Sequence, residues 1–181
     1  MQSKIVNDIA SRKINVTEDL LIERLIDRYR WPKFYPTGAP TLERIEHSGE
    51  KVQDFFANDG YVDTHEILKF YNDGYTLIIS GVQHLFKDIH NITADLYDEL
   101  GYIVNSNIYF SKGQKKVSFD SHSHEYDVIV KNIAGKSKWI INNQEAYLQD
   151  QDVFYITKNI DHCVTEITST KISITFNLLR P

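Results

Sequence analysis

The apolar residues of this 181-residue chain change their period at Gly101. Before it they return every three or four positions, the spacing of a helix face; after it they return every second position, the spacing of a half-buried strand. Seven short runs follow one another in the second part, over residues 102–111, 125–133, 138–142, 146–149, 153–157, 163–168 and 171–178. Turn residues separate them at Lys112-Gly113-Gln114, Asn142-Asn143 and Thr168-Ser169-Thr170. Short strands in this number bury their apolar faces by closing into a sandwich or barrel. The regular tight turns predict an all-β core, a jelly roll, with helices packed on its outside.

The helices come first. Ile5, Val6, Ile9 and Ala10 share one helix face, and a second run sets Leu21, Leu25 and Ile26 against Glu18, Glu23 and Arg24. Thr17 is placed to cap that second helix, with a staple between Val16 and Leu21, and the two helices are expected to pack together. Pro32, Pro36 and Pro40 then forbid helix and predict an extended crossing loop. The soft boundary falls there, giving an N-terminal helical extension over 1–40 and a main domain over 41–181. Two more helices are predicted over 64–71, capped by Asp63 or Thr64, and over 82–100, with a buried strand at 75–79 between them.

Composition narrows the function classes. A chain of this length with 41% hydrophobic and 25% charged residues holds one folded domain. A net charge of −5 and a pI near 5.8 lack the basic excess of a nucleic-acid binder. The single cysteine, Cys163, excludes an internal disulfide and any Cys-x-x-Cys site, which suits a reducing cytoplasm. The opening MQSKIVNDIASRK interrupts its apolar positions with charges, and nowhere do about 18 apolar residues run together. Neither a signal peptide nor a membrane span is expected, and the predicted location is cytoplasmic.

Four of the seven histidines, His47, His65, His84 and His90, stand at unrelated spacings in the first half and read as surface or packing residues. The other three differ. His122-Ser123-His124 opens a predicted strand, so its two imidazoles project from one face, and His162 begins a later strand that can bring a third. Imidazole suits iron, zinc, copper and nickel, and three protein ligands leave positions open for water, co-substrate or O₂. On spacing alone, two surface histidines and an unrelated third account for the pattern equally well. Cys163 reads as a small buried hydrophobe, and Glu125 is turned away from the histidine face by alternation.

The block His122-Ser123-His124-Glu125-Tyr126-Asp127-Val128, followed by Gly135, Lys136, Lys138 and Trp139, resembles the metal-binding block of JmjC-type cupins of the ribosomal-oxygenase kind. Val62-Asp63, Gly74-Tyr75-Thr76-Leu77, Asn107-Ile108-Tyr109 and Asp152-Val153-Phe154-Tyr155-Ile156 leading to His162 resemble that family's landmarks, in its order, from Val62 to Leu178. The resemblance implies a double-stranded β-helix that holds Fe(II) with two histidines and a carboxylate and uses O₂ and 2-oxoglutarate to hydroxylate a side chain. It further implies that Asn107 and Tyr109 line the co-substrate pocket.

Two positions depart from the family. His124 stands where the carboxylate ligand is placed, which leaves the metal site one unit more positive. Ser137 stands where the family has the cation that pairs with the distal carboxylate of 2-oxoglutarate. A lysine restored at 137 is expected to strengthen co-substrate binding if the pocket is otherwise intact. Lys136 and Lys138 flank Ser137, but alternation aims them at the opposite face. Lys171-Ile172-Ser173 resembles the Arg-x-Ser placement of other 2-oxoglutarate oxygenases, so Lys171 with Ser173 is either a relocated anchor or the solvated face of an amphipathic last strand.

The expected activity is that of a mononuclear non-haem Fe(II) oxygenase with His122, His124 and His162 as ligands. Use of 2-oxoglutarate stays open against direct chelation of an anionic substrate by a three-histidine dioxygenase. Zinc is the alternative metal, and a non-catalytic cupin that binds a metal or small ligand is the rival from another class. Ribosomal oxygenases carry further segments beyond the point where Pro181 falls, so a small molecule, an amino acid or a peptide is the expected substrate. Nucleic acid and membrane are not expected as partners, and a homodimer is left open.

Overall fold

The computed structural model describes residues 2–46, 48–113 and 119–179. His47 and the Gln114 end of the expected 112–114 turn lie outside them. Helix α1 (Gln2–Ser11) buries Ile5 and Ile9, and α2 (Glu18–Ile26) starts under Thr17, whose side chain accepts from the Leu20 N–H. These helices do not form their main contacts with each other: α1 rests on the sheet, while α2 packs on α3 (Thr64–Asn72), where the Tyr71 hydroxyl donates to Glu18 at 2.7 Å. Asp63 caps α3 by accepting from the N–H groups of His65 and Glu66. Strands β1 (Thr41–Ile45) and β2 (Lys51–Val52) form a hairpin that the sequence did not signal. Its Arg44 is buried, paired with Asp54 and Glu46, and stacked over the Phe70 ring.

Strand β3 (Leu77–Ser80) follows, and then the predicted 82–100 helix divides. A 3₁₀ turn (Val82–His84) ends at Leu85, Phe86 is extended, and α4 (Lys87–Leu100) begins after it. Val82, Phe86 and Ile89 are all buried, so the hydrophobic spacing runs on across the break in the backbone. His65, His84 and His90 are exposed on these elements.

All seven strands predicted after Gly101 are present, displaced at their ends by at most two residues: β4 (Ile103–Ser111), β5 (Asp127–Ala134), β6 (Ser137–Ile141), β7 (Gln144–Leu148), β8 (Val153–Ile156), β9 (His162–Ile167) and β10 (Lys171–Leu179). They build two antiparallel sheets, one of seven strands in the order β2-β1-β3-β4-β10-β5-β8 and one of three in the order β7-β6-β9. Asn142 and Asn143, both at positive φ, make the two-residue turn between β6 and β7. Gly135 turns β5 into β6 at φ +82°, where an added Cβ would sit 2.2 Å from the Thr170 carbonyl oxygen, so only glycine lets the two turns meet.

One apolar cluster lies between the large sheet and the helices. It joins Ile9, Leu21 and Leu25 of the N-terminal stretch to Ile108, Ile129 and Phe176 of the strands. A second, formed by Val128, Val130, Trp139, Leu148, Ile156, Val164 and Ile167, lies between the two sheets. Lys131 points outward from β5 into the first cluster, fully buried, and its Nζ donates to the carbonyls of Ile9, Ala10 and Arg12 at 2.8, 3.1 and 2.8 Å. A cation thereby satisfies the free carbonyls at the C-terminal end of α1. Among the described residues no helix is long and apolar enough to cross a membrane.

Candidate metal centre

His122 precedes β5 rather than opening it. It forms an isolated antiparallel bridge with His162, the first residue of β9, and each N–H donates to the other's carbonyl, at 3.2 and 2.8 Å. The His124 carbonyl accepts from the Asn159 N–H at 2.7 Å. These backbone ties gather the three rings at centroid separations of 4.6, 4.9 and 5.2 Å, with one ring nitrogen of each inside a sphere of mutual distances no greater than 4.8 Å.

Two of the rings are oriented by hydrogen bonds. His122 Nδ1 lies 2.8 Å from the Asp120 carbonyl and His162 Nδ1 lies 2.9 Å from the Ile160 carbonyl. A carbonyl only accepts, so each Nδ1 carries a proton, and in the neutral ring Nε2 is then the nitrogen with the free lone pair. Burial lowers the pKa of His162, and burial together with the neighbouring His122, His162 and Lys51 lowers that of His124 to about 4. Neutral imidazoles of this kind are the form that binds metal, so the donor set fits a divalent transition ion with open positions.

The rings face a cavity of about 590 Å³ between the sheets. On the large sheet, β10 and β4 pair in the register Lys171–Ser111, Ser173–Tyr109 and Thr175–Asn107, and all six residues line the cavity. Across from them stand Trp139, Val164 and Ile167 of the small sheet. Register shifts between Ile172 and Ser173 and between Lys138 and Trp139 adjust the strands beside the cavity, where such irregularities re-aim side chains. Lys171 is 4% exposed, and among the described residues its one recorded partner is the Trp139 indole, with Nζ 4.9 Å from the ring centre. Burial without a counter-ion lowers its pKa to about 7. Burial raises the Tyr109 hydroxyl to about 12.

The structure thus brings His122, His124, His162, Asn107, Tyr109, Lys171 and Ser173 to one cavity. The polar face of β10 is not solvated. Ser137 is not among the lining residues: it is buried, and its Oγ accepts from Trp139 Nε1 at 2.9 Å. Lys138 is drawn away to Glu145 at 2.6 Å. Trp139, read as a core residue, is buried and forms part of the cavity wall. Tyr126 and Phe119 also line it; Tyr126 was legible in principle, because it continues the two-residue spacing of His122 and His124. Nothing in the sequence around Lys51, another lining residue, marks it.

Neither a family model nor a curated protein matches the chain. Solved structures do. The ribosomal oxygenase YcfD of Escherichia coli, in complex with cobalt and 2-oxoglutarate, aligns at a TM-score of 0.63 and 13% identity over 94% of this chain and 46% of that one. A second structure of YcfD aligns at 0.61 and 13% over the same shares. This chain therefore spans less than half the length of that enzyme. At such identity the likeness is one of fold: this chain has a double-stranded β-helix core like that of the ribosomal oxygenase.

Proposed function

We propose that this chain is a metal-dependent oxygenase in which His122, His124 and His162 hold Fe(II), and Lys171 with Ser173 receives an anionic co-substrate, 2-oxoglutarate. One observation carries the reading: three imidazoles and a buried lysine that has no carboxylate partner among the described residues face the same cavity. A ferrous ion in such a site supplies O₂ activation. The chain's own residues do the rest. The Nδ1–H bonds of His122 and His162 keep their Nε2 atoms aimed inward, the apolar wall excludes water, and Lys171 holds the carboxylate through a charge-assisted hydrogen bond. The neutral third imidazole leaves the site more positive than a carboxylate would, which favours an anionic ligand.

The substrate class is a small molecule, an amino acid or a peptide. The structurally similar YcfD is a ribosomal oxygenase, which favours the peptide end of that range over a free small molecule. The test is metal analysis of anaerobically purified protein, followed by O₂ uptake with and without 2-oxoglutarate. The reading expects iron and 2-oxoglutarate-dependent uptake. Iron with uptake that ignores 2-oxoglutarate would favour direct chelation of the substrate. Bound zinc without uptake would replace the oxygenase by a zinc enzyme, and no bound metal would leave a ligand-binding cupin.

A further inference from the structure

The three imidazoles are not held alike. His122 and His162 each donate an Nδ1–H to a carbonyl two residues back. Among the described residues no hydrogen bond reaches the ring of His124. Its one parallel ring contact is with Tyr126, whose ring lies within 9° of its plane at a centroid distance of 4.9 Å. Tyr126 is itself half-buried, seated on the cluster of Val128, Val130 and Trp139 between the sheets. The χ2 torsion of a histidine is broad, so an imidazole without a tether presents its lone pair in many directions.

We propose that Tyr126 is a positioning residue for the metal: by stacking, it sets the plane of His124, as the carbonyls of Asp120 and Ile160 do for the other two rings. This rests on the metal-site reading above. It also accounts for how an imidazole can serve where the family that the sequence resembles places a carboxylate. A carboxylate offers two oxygens at the end of a short side chain; an imidazole offers one directed lone pair and needs its plane held, by a carbonyl or by a stacked ring.

The experiment measures the dissociation constant of Co(II) by equilibrium dialysis on the whole chain, with apo-protein melting as a check of folding. Tyr126→Leu should weaken Co(II) about tenfold or more, the scale of lost outer-shell support, while Tyr126→Phe keeps the ring and stays within about threefold. The same Leu substitution in a His124→Asp or a His124→Ala background should change affinity by less than about twofold, because the group it orients is gone. Equal weakening in all backgrounds would show that Tyr126 acts on the fold and overturn the proposal. Full affinity of Tyr126→Leu, or a loss in Tyr126→Phe as large as in Tyr126→Leu, would overturn it as well. Should Tyr126→Leu fail to fold, Tyr126→Met is read in the same cycle. Wild-type protein that binds Co(II) no better than His122→Ala would bring down the metal-site reading, and this inference with it.

Discussion

The two walls of the cavity come from different sheets and tolerate opposite chemistry. The large sheet contributes a ladder of polar side chains from β10 and β4, with Lys171 at one end. The small sheet contributes Trp139, Val164 and Ile167, and its two ring N–H groups are satisfied within the wall itself, Trp139 Nε1 by Ser137 and His162 Nδ1 by Ile160. A self-satisfied wall has settled its hydrogen bonds before any ligand arrives. A wall that holds a buried amine with no carboxylate partner among the described residues has not, and under the proposed function it is the one that selects by charge.

If that division holds, damage to one wall should leave the other's property intact. The largest effect is expected from His162→Ala, which removes a tethered donor from the small sheet: metal content measured after purification should fall to background, with melting of the apo-protein little changed. Lys171→Met should do the reverse. Loss of a charge-assisted pair costs about 1.5–3 kcal/mol, so 2-oxoglutarate should bind roughly ten- to a hundredfold more weakly by calorimetry while the metal is retained.

A smaller effect sharpens the same contrast through pH. The Lys171 pKa is lowered in the folded chain to about 7 from its ordinary 10.5, so between those values the unfolded state binds the extra proton and stability rises with pH. The destabilisation is fully present below about pH 7 and fades as the pH approaches 10.5. Melting curves of the apo-protein should show that rise, and Lys171→Met should flatten it. A bound carboxylate should draw a proton onto the amine, so 2-oxoglutarate affinity should decline above neutrality, with proton uptake visible as a buffer-dependent heat.

The smallest change tests the satisfied wall. Ser137→Ala strands the indole N–H of Trp139 and should cost about 1 kcal/mol of stability by denaturant titration. The resemblance led us to expect that Ser137→Lys would strengthen co-substrate binding. The buried hydroxyl on Trp139 argues against it: a lysine there crowds a filled site away from the cavity lining and should destabilise by roughly 1–3 kcal/mol without gain in affinity.

Much of this was legible before the structure, for physical reasons that also mark where legibility stops. The barrel strands announce themselves by alternation, and Asn142-Asn143 by a turn that demands positive φ. The hairpin β1–β2 did not, because Glu43, Arg44 and Lys51 look like solvated charges until Asp54, Glu46 and Phe70 are seen to enclose the guanidinium. The histidine set was readable from a two-residue spacing and a third ring downstream. Lys171 was readable only as an ambiguity: alternation says which residues share a face, not whether water or a cavity lies beyond it. Lys131 gave no signal, since its partners are backbone carbonyls more than a hundred residues away.

That buried ammonium makes the beginning of the chain part of the interior's charge balance. A chain begun at Thr41 would keep every barrel strand yet leave Lys131 among Ile129, Ile133 and their apolar neighbours with its three carbonyl acceptors deleted. Shortening such a protein at its looped boundary is therefore an electrostatic intervention, and replacing Lys131 with methionine is the compensating change that a trimmed version would call for.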